Sequence, residues 1–216
     1  VLNKNNDKIT IVGATSGDTG SAAIDCVQGS SRAQIFMLHP KGRVSDVQRK
    51  QMTTVIEDNV HNIAIEGDFD HCQAMVKALF NDLQFRDKIS LSAVNSINWA
   101  RVMAQIVYYF TAAVALGAPD RKISFSVPTG NFGDVYAGFI AKQMGLPIDQ
   151  LVVATNVNDI LSRTINGGEY KVGETIPTIS PSMDIQVSSN FERLLYNIYD
   201  GDGAEIRNLM ENLKQS

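Results

Sequence analysis

The chain of 216 residues predicts an α/β fold with largely parallel sheets flanked by helices. Three observations carry that prediction. Short apolar, β-branched runs alternate with stretches of helical periodicity along the whole sequence. Two of those runs end in glycine-containing loops that lead straight into a helix, at Gly13 and at Pro128. No internal repeat or low-complexity tract interrupts the alternation.

Residues 8–12 read as the first strand, running into Gly13, and residues 18–28 as a helix with Ala22, Ala23 and Val27 at apolar spacing and Gly29 as its stop. Residues 33–38 form a second strand, stopped by Pro40, and residues 45–53 a polar helix. A third strand covers residues 62–65. Residues 69–83 place Phe69, Cys72, Met75, Val76, Leu79, Phe80 and Leu83 on the i, i+3, i+4, i+7 stripe of an amphipathic helix. A fourth strand is expected at 89–94. The same grammar continues beyond Asn95. Residues 99–116 are the longest apolar helix, closed by Gly117 and Pro119, and residues 123–127 a strand. Residues 128–133 are a loop, 135–144 a helix, 151–155 a strand, 167–181 a loop, and 189–199 and 204–213 helices. The division expected is a small αβ lobe over 1–94 and part of a larger lobe over 95–216, with the active site in the cleft between them.

Composition narrows the function. Nineteen Lys and Arg against 23 Asp and Glu give a net charge of −4, which excludes the basic stripe of a nucleic-acid partner. The apolar runs, such as residues 106–110, are too short to span a bilayer. Cys26 and Cys72 make no disulfide framework and are expected as buried thiols in a reducing, cytoplasmic setting. His39, His61 and His71 stand at no metal-ligand spacing, so no metal is expected. Trp99, Tyr108, Tyr109 and Phe110 are expected in the core. The chain begins Val1-Leu2-Asn3 with no Met and no secretory pattern, which reads as processing or as a piece of something longer.

The chemistry-bearing residues gather at strand ends. Gly13-Ala14-Thr15-Ser16-Gly17-Asp18-Thr19-Gly20 lets backbone approach a ligand, adds hydroxyls, and opens a helix whose first N–H groups suit an anion. It is neither G-x-G-x-x-G nor a P-loop. Without a ligand it would be a capped turn, the cap falling on Ser16 or Asp18. Pro128-Thr129-Gly130-Asn131-Phe132-Gly133-Asp134 repeats the arrangement and offers N–H groups to a phosphate. Between them, Asn95-Ser96-Ile97-Asn98-Trp99-Ala100-Arg101 sets two amides, a hydroxyl and a guanidinium at a strand-to-helix junction, a grouping suited to phosphate. Lys41 and Arg43 after the second strand could meet a ribose 2′-phosphate, which leaves an NADP-binding oxidoreductase as one alternative and a non-catalytic ligand-binding module as another.

In those three segments the chain resembles the threonine synthases, within the tryptophan-synthase-β-like group of pyridoxal-phosphate enzymes (fold type II). Residues 66–70, 154–159 and 180–184 also match the long form of that family, in the expected order. The resemblance implies pyridoxal 5′-phosphate as cofactor and conversion of O-phospho-L-homoserine and water to L-threonine and phosphate. It implies that Thr15, Ser16, Gly17, Asp18 and Thr19 hold the substrate carboxylate. Gly130, Asn131, Phe132 and Gly133 would bind the cofactor phosphate, and Asn95, Ser96 and Arg101 the substrate phosphate. Related enzymes often carry Asn where this chain has Asp18. The family's Schiff-base lysine lies upstream of the first glycine loop, and Lys4 and Lys8 stand in an unrelated context. The expectation is therefore an internal stretch with that lysine before residue 1, inactive by itself, from a carbon–oxygen lyase. Another pyridoxal-phosphate β- or γ-replacement enzyme is the nearest alternative.

Overall fold

In the computed structural model, which describes residues 7–94 and 98–215, strand β1 (Ile9–Ala14) has a parallel neighbour on each side. These are β2 (Ala33–Pro40) and β4 (Leu91–Ala93); β3 (Val60–Ile65) pairs with β2, giving the order β3-β2-β1-β4. The register sets Ile11 opposite Ile35 and Val12 opposite Phe36. Side chains alternate across a pleated sheet, so the two faces bury different residues. Ile11, Ile35 and Met37 pack with Ala23 and Ile24 of α1 (Asp18–Val27) and Met52 of α2 (Asp46–Thr53). Val12, Phe36 and Leu38 pack instead with Cys72, Val76 and Leu79 of α3 (Phe69–Asn81). Helices on both faces explain why these parallel strands read as continuous apolar runs. Each fully buried Ile or Met here contributes about 1.5–3 kcal/mol.

This sheet belongs to the first of two compact units, Val1–Asn95; the second is Ser96–Ser216. There β5 (Ile123–Pro128) and β6 (Ile148–Ala154) pair in parallel, and α6 (Gly133–Gln143) lies between them in sequence. Helix α5 (Trp99–Ala115) lies so close to α6 that a Cβ on Gly138 would sit 2.6 Å from the Tyr109 ring. Val102, Tyr109, Ala113, Ile123, Val127 and Ala137 form this core with Ile160 and Leu161 of α7 (Ile160–Gly167) and Phe191 of α8 (Phe191–Ile198). A 3₁₀ turn (Pro181–Met183) precedes α8, and α9 (Gly203–Gln215) follows it.

Several expectations need correction. The helix foreseen over 69–83 ends at Asn81, because Asp82 turns its carboxylate to the Phe85 N–H and starts α4 (Leu83–Lys88), leaving Leu83 exposed. Pro40 ends no strand early: it is the last residue of β2, and Lys41 N–H makes the next bond, to Ile65 O. Helix α7 was not foreseen. Cys26 is exposed, since α1 buries Gly20, Ala23 and Ile24 on its other side. Trp99 and Tyr108 are likewise exposed, because the inward stripe of α5 runs through Val102, Tyr109 and Ala113. His71 belongs to a capping box with Asp68, and Cys72 is buried. Among the described residues no helix is long and apolar enough to cross a membrane.

Candidate functional site

The first loop is built by one hydroxyl. Thr15 is 1% exposed, its N–H donates to Leu38 O at 3.0 Å, and its Oγ1 accepts from the N–H groups of both Gly17 and Gly20 at 2.9 Å. The N-cap position of α1 is Gly17, not Ser16 or Asp18, and Thr15 braces it by accepting from the Gly17 and Gly20 N–H groups. Gly17 has φ +136°, and a Cβ there would lie 2.4 Å from Gln48 Cδ. The Gln48 amide donates to the Asp18 carboxylate, and the Ser45 hydroxyl donates to Gln48 Oε1 at 2.8 Å. The helical ladder begins with Ser21 N–H to Gly17 O. Asp18 and Thr19 stand in the first turn of α1, where backbone N–H groups fall outside the i→i−4 ladder.

The second loop is built by its neighbours. Thr129 extends the strand pairing through its N–H to Ala154 O at 2.8 Å, and its hydroxyl donates to Val127 O at 2.6 Å. A Cβ on Gly130 would lie 2.6 Å from the Ser182 carbonyl oxygen. Phe132 stands in the left-handed region, φ 63° and ψ 3°, with its ring buried and edge-on to Phe191 at 5.2 Å. A bulky residue there carries about 1–3 kcal/mol of strain, which the ring packing sustains. The first bond of α6 runs from Tyr136 N–H to Phe132 O at 3.1 Å. Among the described residues, the N–H groups of Gly130, Asn131, Phe132 and Gly133 have no acceptor. Asn131 Oδ1 accepts from the Ser189 hydroxyl at 3.2 Å, which leaves its Nδ2 on the other side as a further donor.

One negative group stands beside these donors. Burial pushes the Asp134 carboxyl above its ordinary range, with a Tyr109 hydrogen bond opposing the shift. Burial and Asp134 together also push the Tyr109 hydroxyl up, and that hydroxyl donates to the main-chain oxygen of Asp134 at 3.0 Å. Burial of this kind disfavours the charged carboxylate relative to the neutral acid. Consecutive main-chain N–H groups at a helix N-terminus, with a side-chain amide, form a donor set that fits a phosphate. A cavity lined by Tyr136, Arg193, Tyr196, Ile206, Arg207 and Met210 among others takes none of the loop's residues 129–133.

Of the third segment, the structure places Arg101 in the first turn of α5, half-buried, where desolvation lowers its guanidinium pKa. Asn95 and Ser96 lie outside the described residues. Lys41, weighed as a 2′-phosphate ligand, pairs with Glu66. Residues to which the sequence reading gave no site role support the loops. Ser188 donates its hydroxyl to Gly130 O at 2.7 Å, and Asn190 donates its N–H and Nδ2 to Asn131 O at 3.0 and 2.9 Å. Asp184 accepts from Asn156 Nδ2 and the Thr178 hydroxyl, each at 2.7 Å, and from Asn158 Nδ2 at 3.1 Å. That network ties the segment holding Ser182 to the end of β6. The 154–159 and 180–184 segments gave a signal in the sequence, but only through a family likeness.

Parallel strands, two anion-competent loops at strand ends and a phosphate-fitting donor set define a class. The chain belongs to the pyridoxal-phosphate dependent enzymes, whose family model matches residues 2–212. More particular likenesses lie within that family. The threonine synthase of Pseudomonas aeruginosa is 58% identical over 216 residues, covering 100% of this chain and 46% of that protein. The threonine synthase of Saccharomyces cerevisiae is 52% identical over 206 residues, covering 93% of this chain and 40% of that protein. The crystal structure of threonine synthase with bound pyridoxal phosphate from Brucella melitensis matches with a TM-score of 0.91 and 61% identity, over 100% of this chain and 46% of that one. The chain thus spans less than half the length of these relatives.

Proposed function

We propose that the protein carrying this chain is a threonine synthase, which converts O-phospho-L-homoserine and water to L-threonine and phosphate with pyridoxal 5′-phosphate. The observation that carries this reading is the phosphate-fitting loop at the start of α6, within a chain matched along its whole length by threonine synthases. In this reading the N–H groups of Gly130, Asn131, Phe132 and Gly133 hold the phosphate of the cofactor. The cofactor, when bound, supplies an electron sink for carbanion chemistry. The loop from Thr15 to Thr19 binds the substrate carboxylate with its first-turn N–H groups. Thr15 also shapes that loop, since its oxygen accepts two N–H groups. Arg101, with Asn95 and Ser96, grips the substrate phosphate and orients the leaving group, and a half-desolvated guanidinium strengthens such a pairing. The setting read for it is the cytoplasm, where thiols such as Cys26 and Cys72 stay reduced.

The test is turnover by the full-length holoenzyme with O-phospho-L-homoserine, reading released phosphate and L-threonine together. Equimolar phosphate and threonine are the expected products. Turnover of O-acetyl-L-serine or O-acetyl-L-homoserine in place of the phosphorylated substrate would overturn the reading in favour of a different replacement enzyme.

A further inference from the structure

The loop that opens α6 is oriented from 58 and 59 residues downstream. Ser188 and Asn190 are 1% and 0% exposed, and neither side chain caps a backbone N–H of α8. Asn190 occupies the N-cap position of α8, yet it makes no side-chain cap bond, although capping is the ordinary role of Asn there. Instead its Oδ1 accepts from Arg193 Nε at 3.1 Å, which fixes the amide so that Nδ2 faces Asn131 O. Ser188 is pinned in turn, its N–H donating to the Tyr170 hydroxyl oxygen at 2.9 Å.

Peptide geometry gives these contacts a consequence. In a planar trans peptide the C=O of one residue and the N–H of the next point opposite ways. With Gly130 O turned to the Ser188 hydroxyl, the Asn131 N–H points away from the 188–190 segment. With Asn131 O turned to both donors of Asn190, the Phe132 N–H points away as well. Phe132 O runs into α6 as acceptor for Tyr136, so the Gly133 N–H points out of the helix start. Three successive N–H donors, of residues 131–133, are left without an acceptor among the described residues. We propose that Ser188 and Asn190 are positioning residues that set the peptide planes of residues 130–132 and thereby make this loop selective for a phosphate-bearing ligand. The proposal rests on the reading that this loop holds the cofactor phosphate.

The experiment compares two ligands that differ only in that phosphate, pyridoxal 5′-phosphate and pyridoxal, by equilibrium dialysis against the full-length protein. The variants are S188A, S188T and N190D, which keeps an acceptor for Arg193 and removes the Nδ2 donor. Wild type binds the phosphorylated form more tightly. In S188A that preference falls about tenfold, the scale of one ordinary hydrogen bond, while pyridoxal affinity stays within about twofold. S188T restores the preference, and N190D lowers it further than S188A, because a carboxylate then faces Asn131 O. An unchanged preference in both S188A and N190D overturns the proposal. So does a parallel loss of both ligands with a lowered Tm, the pattern of a plain structural brace. If wild type itself shows no preference, the phosphate reading of the loop fails first, and this proposal with it.

Discussion

The two glycine loops share a grammar and differ in who holds them. In the first, the loop's own Thr15 consumes two of its N–H groups, and the outside help comes from Gln48 reaching Asp18. In the second, remote residues consume carbonyl oxygens, of Gly130 and Asn131, and the N–H groups are left over. A loop that satisfies its own donors keeps few for a ligand. One whose acceptors are satisfied from outside keeps many. That difference matches the charges assigned to them, a singly charged carboxylate for the first and a phosphate for the second.

The largest effect separating the loops is expected from Gly130→Ala. Its Cβ would press within 2.6 Å of the Ser182 carbonyl oxygen, a backbone atom that the Asp184 network holds in place. Such overpacking costs about 1–3 kcal/mol, and here it also displaces the loop. Dialysis of the full-length holoenzyme should show a loss of pyridoxal-phosphate affinity of at least about tenfold. Gly173→Ala is the control, because its Cβ would meet Gln186 at an ordinary 3.5 Å. Equal cofactor retention in the two variants would detach the second loop from the cofactor.

Thr15→Val should act on the other loop and more weakly. It keeps the shape and removes the acceptor for two buried N–H groups, at about 1–3 kcal/mol of stability. The KM for the phosphorylated substrate should rise while cofactor affinity holds, and Thr15→Ser should recover most of both. If Thr15→Val behaves like Thr15→Ser in Tm and KM, the hydroxyl does not build the first loop.

How far the sequence discloses this depends on the range of the interaction. The βα alternation and the burial of Ile11, Ile35 and Met37 on one face against Val12, Phe36 and Leu38 on the other follow from periodicity, which is local. Both glycine loops are local as well. The cap expected at Ser16 or Asp18 falls instead on Gly17, with no side-chain cap bond, because Ser16 and Asp18 carry capping oxygens but only backbone geometry decides where the helix starts. Helix α7 escaped notice because its two core residues, Ile160 and Leu161, are adjacent and show no repeat over 8 residues. Exposed Cys26 and Tyr108 misled for the converse reason: their types favour the interior, but their angular positions on α1 and α5 do not. Ser188 and Asn190 were the hardest to see. A Ser-Ser-Asn run before a helix reads as a cap, and nothing local reveals that these side chains serve a loop on the far side of β6.

Asp134 offers the smallest effect and the finest probe of the second loop. Its carboxyl titrates above the ordinary value of 3.8 because burial disfavours the charge. A folded-state pKa above the unfolded one means that folding takes up protons, so stability falls as pH rises through the folded value. Below about pH 3.8 the group is neutral in both states and exacts no penalty; above its folded pKa the penalty is complete. Asp134→Asn removes the charge at nearly constant shape. Its Tm relative to wild type should therefore be flat or slightly lower below about pH 3.8 and should rise as pH climbs through the folded pKa. The same variant should bind pyridoxal phosphate more tightly at pH 8 than wild type does, since a carboxylate no longer opposes the bound anion. A Tm difference that does not change with pH would mean that the carboxylate is fully solvated in solution. The donors of residues 130–133 would then face the phosphate with no buried like charge opposing it, and the pH dependence of cofactor binding would have to arise elsewhere.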